Sequence, residues 1–179
     1  MKDSSPKFIA DAMLGRLARW LRLLGYDTLY ESGIDDRRLL ALAHEQGRII
    51  LTRNTRLLRR RQLPPAVLVA SDHWRQQLRQ VVRECGLSPV AGFLRRCAVC
   101  NTELVDLEPA AAAGRVPSYV ARTCDRFKTC PGCGRVYWPA THRRQMEIQL
   151  RQLFAGDFPG RQERPDFPGR QERPGAERQ

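Results

Sequence analysis

Four cysteines stand in two pairs, Cys97-x2-Cys100 and Cys130-x2-Cys133. Each pair sets two thiolates on one tight turn, and two such turns facing each other make a tetrahedral all-cysteine site of the kind that holds Zn²⁺. In "CPGCG", Gly132 and Gly134 let the backbone fold around an ion. Protein would fill all four positions, so the zinc would be structural and not catalytic. A zinc tetrathiolate carries about two negative charges, which the flanking Arg95, Arg96, Arg126, Lys128 and Arg135 would offset. Of the two remaining cysteines, Cys85 sits late in a helical pattern and reads as a small buried hydrophobe, while Cys124 is a weaker candidate for a substitute ligand.

A second set is acidic. Asp11 follows the apolar Phe8, Ile9 and Ala10; Asp35 and Asp36 open a helical pattern; Asp72 follows "AVLVAS". Clustered carboxylates offer the hard oxygens that Mg²⁺ or Mn²⁺ prefers. Helix capping is the competing role for Asp36 and Asp72, whereas an acid directly after "FIA" is poorly suited to a core. The apolar Ile49, Ile50 and Leu51 run into Thr52, Arg53 and Asn54. That ending is either a turn, which Asn suits, or part of a site, because open parallel sheets bind ligands beyond the carboxyl ends of their strands. Arg16, Arg19 and Arg22 recur every three residues and share one flank of a helix, where they would face phosphates or solvent. The denser "RLLRRRQ", residues 56 to 62, suits contact with a nucleic-acid backbone.

Such groups must be positioned by regular elements. "KFIAD" reads as a strand, and Leu14, Leu17, Leu21 and Leu24 mark a helix stopped by Gly25. "DTLYES" is a second strand, "DRRLLALAHEQG" a helix, "RIILTRN" a third strand, "AVLVAS" a fourth, and "DHWRQQLRQVVRECG" a closing helix. Strands alternating with helices predict an α/β fold with a small parallel sheet over residues 7–90. The cysteine pairs, an Ala/Gly/Pro-containing connector between them, and a helix from about Arg143 to Phe154 make a second unit over 93–154. Residues 155–179 repeat "DFPGRQERP" and are too poor in apolar side chains to offset their ordering entropy, which predicts a disordered tail.

Composition sets the context. The 179 residues carry 31 Lys+Arg against 19 Asp+Glu, a net charge of +12. Five Arg and five acids balance beyond Ala155, so the whole excess lies before it and calls for a polyanionic partner, nucleic acid first. Only three basic residues are Lys, and the planar guanidinium of Arg suits phosphate. No apolar run reaches the ~20 residues of a membrane helix, and the N-terminus lacks the pattern of a signal peptide, so a soluble cytoplasmic protein is expected. In that setting C-x-x-C pairs point to metal before disulfides.

In order, "FIADAMLGRLARWLRLLGYDTLY", "DDRRLLALA", "RIILTRN", "SDHWRQQL" and "CAVCNTEL…CPGCGRVYW" resemble the mutator-seven C-terminal ribonuclease domain family over about residues 7 to 150. The resemblance implies a PIN-type nuclease fold with an attached zinc ribbon. It implies Asp11 and Asp36 as metal-binding catalytic acids and Thr52, Arg53 and residue 54 as the motif ending strand three. Where that family ends the strand in Asp, this chain has Asn54. Where Gly before a Thr-His pair is the pattern, this chain reads "YWPATH", which bears on His142. The expectation is a Mg²⁺- or Mn²⁺-dependent ribonuclease acting through Asp11 and Asp36, helped by Asp35, Asp72 and Asn54. Arg16, Arg19, Arg22, Thr52 and Arg53 would hold the RNA. The rivals are an RNA-binding or ribosome-associated module with a decayed nuclease centre, and a zinc-ribbon scaffold for protein partners. Oligomeric state is left open.

Overall fold

The computed structural model describes residues 5–88, 92–139, 148–150 and 152–154. Four short strands, β1 (Phe8–Ala10), β2 (Thr28–Tyr30), β3 (Ile49–Thr52) and β4 (Ala66–Leu68), pair in the order β2-β1-β3-β4. Every pairing is parallel. Helices α1 (Gly15–Leu23) and α2 (Asp36–Gln46) carry the chain from β1 to β2 and from β2 to β3, and α3 (Trp74–Glu84) follows β4. The α/β reading holds, with element ends within a few residues of those expected. β3 and β4 are joined by the basic segment, which contains one 3-10 turn at Leu57–Arg59.

Alternation along the strands divides the core between two faces. Phe8, Ala10 and Leu51 pack with Leu14, Leu17 and Leu21 of the first helical segment and with Leu78, Val81 and Val82 of α3. Ile9 and Ile50 pack on the other face with Leu39, Ala43 and Leu57. β1 and β3 carry apolar residues on both faces because helices or turns cover both. At about 1.5–3 kcal/mol per buried large aliphatic side chain, this contact is what holds three- and four-residue strands in register.

The sheet order has a functional consequence. From β1 the chain goes to β2 on one side, then returns to place β3 on the other. The gap beyond the carboxyl ends of β1 and β3 is thus the topological switch point, where open α/β sheets bind ligands.

The second unit is built on a three-stranded antiparallel sheet of β5 (Val105–Leu107), β6 (Phe127–Thr129) and β7 (Val136–Tyr137). The stretch expected to be a plain connector instead forms two short helices, α4 (Pro109–Ala112) and α5 (Ser118–Thr123). Their Ala112 and Val120 bury against Phe127. Helices of four and six residues are too short to show periodicity and exist only through such packing. Within the expected C-terminal helix, 148–150 and 152–153 are helical, and Leu150 and Phe154 join the α1/α3 core. The remainder of that segment, the region of His142, and the tail 155–179 lie outside the described residues. No helix among the described residues is long and apolar enough to cross a membrane.

Candidate active site and metal centre

Asp11 comes directly after β1, and its neighbour across the ladder is the end of β3, since Ala10 pairs with Leu51. Its carboxylate joins the two strand ends. Oδ2 accepts from the Thr52 hydroxyl at 2.6 Å and from the Arg53 N–H at 2.9 Å, and Oδ1 accepts from the Met13 N–H at 2.9 Å. Of the roughly four acceptor positions of a carboxylate, three are engaged and one remains. Asp11 also caps the 3-10 turn Ala12–Leu14 that leads into α1. One side chain therefore sets the start of the first helix and the spacing of the switch point.

Asn54 belongs to the same network. Its N–H donates to Thr52 Oγ1 at 2.9 Å, and its side-chain oxygen accepts from the Arg56 N–H at 3.0 Å. The second contact is an Asx turn, which bends the chain out of β3. Arg53 reaches across to β4's end and pairs with Asp72, while its Nε is buried without a hydrogen-bond partner. Asp11, Thr52, Arg53, Asn54 and Asp72 are thus brought into one connected edge.

The other expected acids have different places. Asp35 is the N-cap of α2, accepting from the Arg38 N–H at 2.8 Å, and Asp36 lies in that helix's first turn, 3.8 Å from Arg60. The carboxylates do not converge as anticipated: among the described residues, the one group of three or more His, Cys, Asp or Glu close enough for a metal is the cysteine quartet. Asp72 and Asp36 instead face arginines, which an Arg-rich chain supplies at short range.

The arginine stripe also divides. Arg16 lies 5.0 Å from the Trp74 ring centroid, at the first turn of α1. Arg19 is exposed. Arg22 is only 5% exposed and points away from the site, donating from Nε to the Thr28 carbonyl at 2.8 Å and from Nη1 to the Val99 carbonyl at 2.7 Å. Burial lowers its pKa, opposed by the nearby Cys97 and Cys100. Spacing along a helix could not show that another part of the chain covers the last of the three positions.

That part is the first cysteine turn. All four Sγ atoms, from Cys97, Cys100, Cys130 and Cys133, lie within 4.8 Å of one another. Cys97 is 3.6 Å from Cys133, and Cys100 is 3.2 Å from Cys130. Zinc–sulfur bonds of about 2.3 Å in a tetrahedron separate the sulfurs by about 3.8 Å, so the quartet fits such an ion. Cys97 and Cys130 are buried, and a Cβ on Gly132 would come within 2.5 Å of Thr102 Oγ1, so a larger residue there would have to displace the Thr102 side chain that packs beside the second turn. Burial resists ionisation at both sulfurs of the Cys100–Cys130 pair; bonds with Thr102 nevertheless hold Cys100 down to about 6, while sharing a proton with Cys100 helps push Cys130 up to about 12. A metal ion held by the quartet would replace that proton. Of the flanking cations, Arg135 comes within 4.0 Å of Cys133 Sγ, whereas Lys128 pairs with Asp106. Cys124 is not among the four.

Sequence reading missed the joint between the two units. Asn101, just after Cys100, donates to Asp27 Oδ1 at 2.7 Å and accepts from the Thr28 N–H at 3.1 Å. Asp27 in turn pairs with Arg48 at 2.7 Å. Leu94 donates its N–H to the Leu23 carbonyl, and a Cβ on Gly25 would lie 2.4 Å from the Gly92 carbonyl oxygen. No local signal marks these contacts, which span about seventy residues of chain.

A family model described as the Mut7-C RNAse domain matches residues 6–150. The chain belongs to this family. No curated protein and no solved structure gives a match. The matched span of the Mut7-C RNAse domain takes in both the sheet edge around Asp11 and the four cysteines. Membership gives the chain a ribonuclease-type function, with RNA as substrate or partner, and the quartet suits a metal such as zinc.

Proposed function

We propose that this Mut7-C RNAse domain is a metal-dependent ribonuclease that hydrolyses RNA phosphodiester bonds at the carboxyl edge of its parallel sheet, with one structural Zn²⁺ in the cysteine quartet. The observation that carries this is Asp11, an acid fixed at the switch point by Thr52 and Arg53 with one acceptor position left over.

The edge offers one carboxylate and the Asn54 amide, while Asp72 and Asp36 face arginines. That donor set suits a single hard cation better than a pair, since Mg²⁺ commonly takes one or two carboxylates and completes its shell with water and substrate phosphate. Asp11, helped by the Asn54 oxygen, would hold it; such an ion activates water and neutralises charge at the phosphate. Arg53 has the geometry to exchange Asp72 for a substrate phosphate, which also accepts a bidentate fork. Arg16 and the exposed arginines 56, 59, 60 and 61, which follow β3 in the chain, would extend the cationic surface offered to an RNA backbone. Thr52 fixes the Asp11 carboxylate through its hydroxyl.

A second reading, an RNA-binding or ribosome-associated module with a decayed nuclease centre, is favoured by the Asx turn at Asn54. One experiment separates them: incubation of the purified protein with mixed RNAs in Mn²⁺, Mg²⁺ or EDTA, beside an Asp11→Asn variant whose folding is checked by circular dichroism. Cleavage that needs the added metal and disappears in folded Asp11→Asn supports the enzyme. Tight RNA binding without cleavage in any metal supports the module.

A further inference from the structure

We propose that Trp74, flanked by Arg16 and Arg75, is a stacking subsite for an unpaired base of the RNA strand that reaches the sheet edge. The inference rests on the reading that RNA lies along that edge.

Both helices concerned begin where strands end: α1 follows β1 and α3 follows β4. Trp74 opens α3 two residues after Asp72, which Arg53 holds, and Arg53 is itself bonded through its N–H to Asp11. Two contacts and two residues of chain therefore connect the indole to the candidate catalytic acid. The ring stacks on Trp20 with centroids 4.5 Å apart and planes 4° apart, which is enough to pack α3 on α1. The same ring also carries two guanidinium groups, Arg16 at 5.0 Å and Arg75 at 4.7 Å, both on exposed side chains.

Packing alone does not call for that arrangement. Two like charges on one indole repel each other, and the ring quadrupole offsets only about 0.5–1 kcal/mol per cation at an exposed site. A ligand that brings both a flat π-face and negative charge relieves the conflict: its base takes the place of a guanidinium on the ring, and the released arginine turns to its phosphate. Nucleotides have both features. Bases in a duplex are already stacked on one another, so the site selects an unpaired segment.

The test is equilibrium binding of a fluorescent twelve-nucleotide oligouridine, and of the same strand annealed to its complement, in EDTA so that nothing is cleaved. Trp74→Leu should weaken single-strand binding roughly five- to a hundred-fold, the usual range for loss of one stacked base, with Trp74→Phe recovering most of it. Arg75→Ala should weaken it several-fold and lower the salt slope by about one. Duplex binding should change much less in each case. Equal losses on duplex and single strand, or unchanged single-strand binding in folded Trp74→Leu, would overturn the proposal. Should Trp74→Leu fail to fold, Arg75→Ala decides alone, because its exposed side chain is dispensable for packing: no change in single-strand affinity rejects the subsite. Cleavage assays are separate, so loss of the subsite with metal-dependent cleavage intact, or the reverse, shows which reading failed.

Discussion

Asn54 is a position where amide and carboxylate are nearly equivalent for folding and different in charge. Its side-chain oxygen closes the turn to the Arg56 N–H, and an Asp oxygen would do the same. A divalent ion about 4 Å away would gain roughly 8 kcal/mol gross from the added charge at an effective dielectric of 20, most of it cancelled by desolvation. Asn54→Asp should therefore leave the melting temperature nearly unchanged and shift the Mg²⁺ titration of RNA cleavage to lower concentration. A variant that melts several degrees lower would show that the amide N–H₂ has a structural partner. An unchanged metal requirement would show that residue 54 serves the turn only. Asp11 has no such tolerance, because its two oxygens receive three donors from three different residues.

Between elements, the decisive contact is the joint at the amino ends of β1 and β2. Arg48, 8% exposed, donates to the Phe8 carbonyl at 3.0 Å and pairs with Asp27, while Asn101 from the first cysteine turn bonds the same carboxylate. Burial raises the Asp27 pKa, but the bonds from Arg48 and Asn101 outweigh it and hold the carboxyl below its usual range. A group whose folded pKa is depressed stabilises the fold above its unfolded value of about 3.9, and that stability fades as pH falls through the folded pKa. Asp27→Asn should thus cost about 2 kcal/mol at pH 7, mainly by leaving a buried guanidinium short of its partner. The gap between wild type and variant should close as urea melts are repeated from pH 5 downward. A gap independent of pH would mean that the ion pair contributes nothing and the loss is one of shape.

At the scale of the whole molecule, the cysteine centre and the sheet are mechanically linked. The turn between Cys97 and Cys100 presents the Val99 carbonyl to the buried Arg22, and Asn101 beside it holds the start of β2. Zinc binding and folding are coupled in small cysteine units, and here the effect should extend to the sheet. One zinc per chain is expected by elemental analysis. Cys130→Ser, or treatment with a strong chelator, should unfold the residues around β5–β7 and also lower the melting temperature of the parallel-sheet unit by several degrees. Stripped protein in which the sheet melts as before would show that the joint does not couple the two. RNA affinity should fall steeply with salt in either form, because the excess charge of twelve is spread over the chain before Ala155.

Local patterns were enough to show the strand and helix alternation, the leucine face of α1, and the pairing of cysteines, because each depends on residues a few positions apart. Asp11 was legible for the same reason: an acid closing an apolar strand has few structural explanations. The sequence also carried the family resemblance that the Mut7-C RNAse domain model bears out over residues 6–150. What it could not convey was how faces are shared between distant segments. Arg16, Arg19 and Arg22 are equivalent by spacing, yet the first lies over an indole, the second faces solvent and the third is buried against a cysteine turn about 76 residues away. Local pattern set Asp11 apart and offered Asp36 and Asp72 either capping or a shared site, and that choice was decided by the sheet order and by which arginine lay within reach. Burial and ion pairing depend on what covers a residue, and only the folded chain determines that cover.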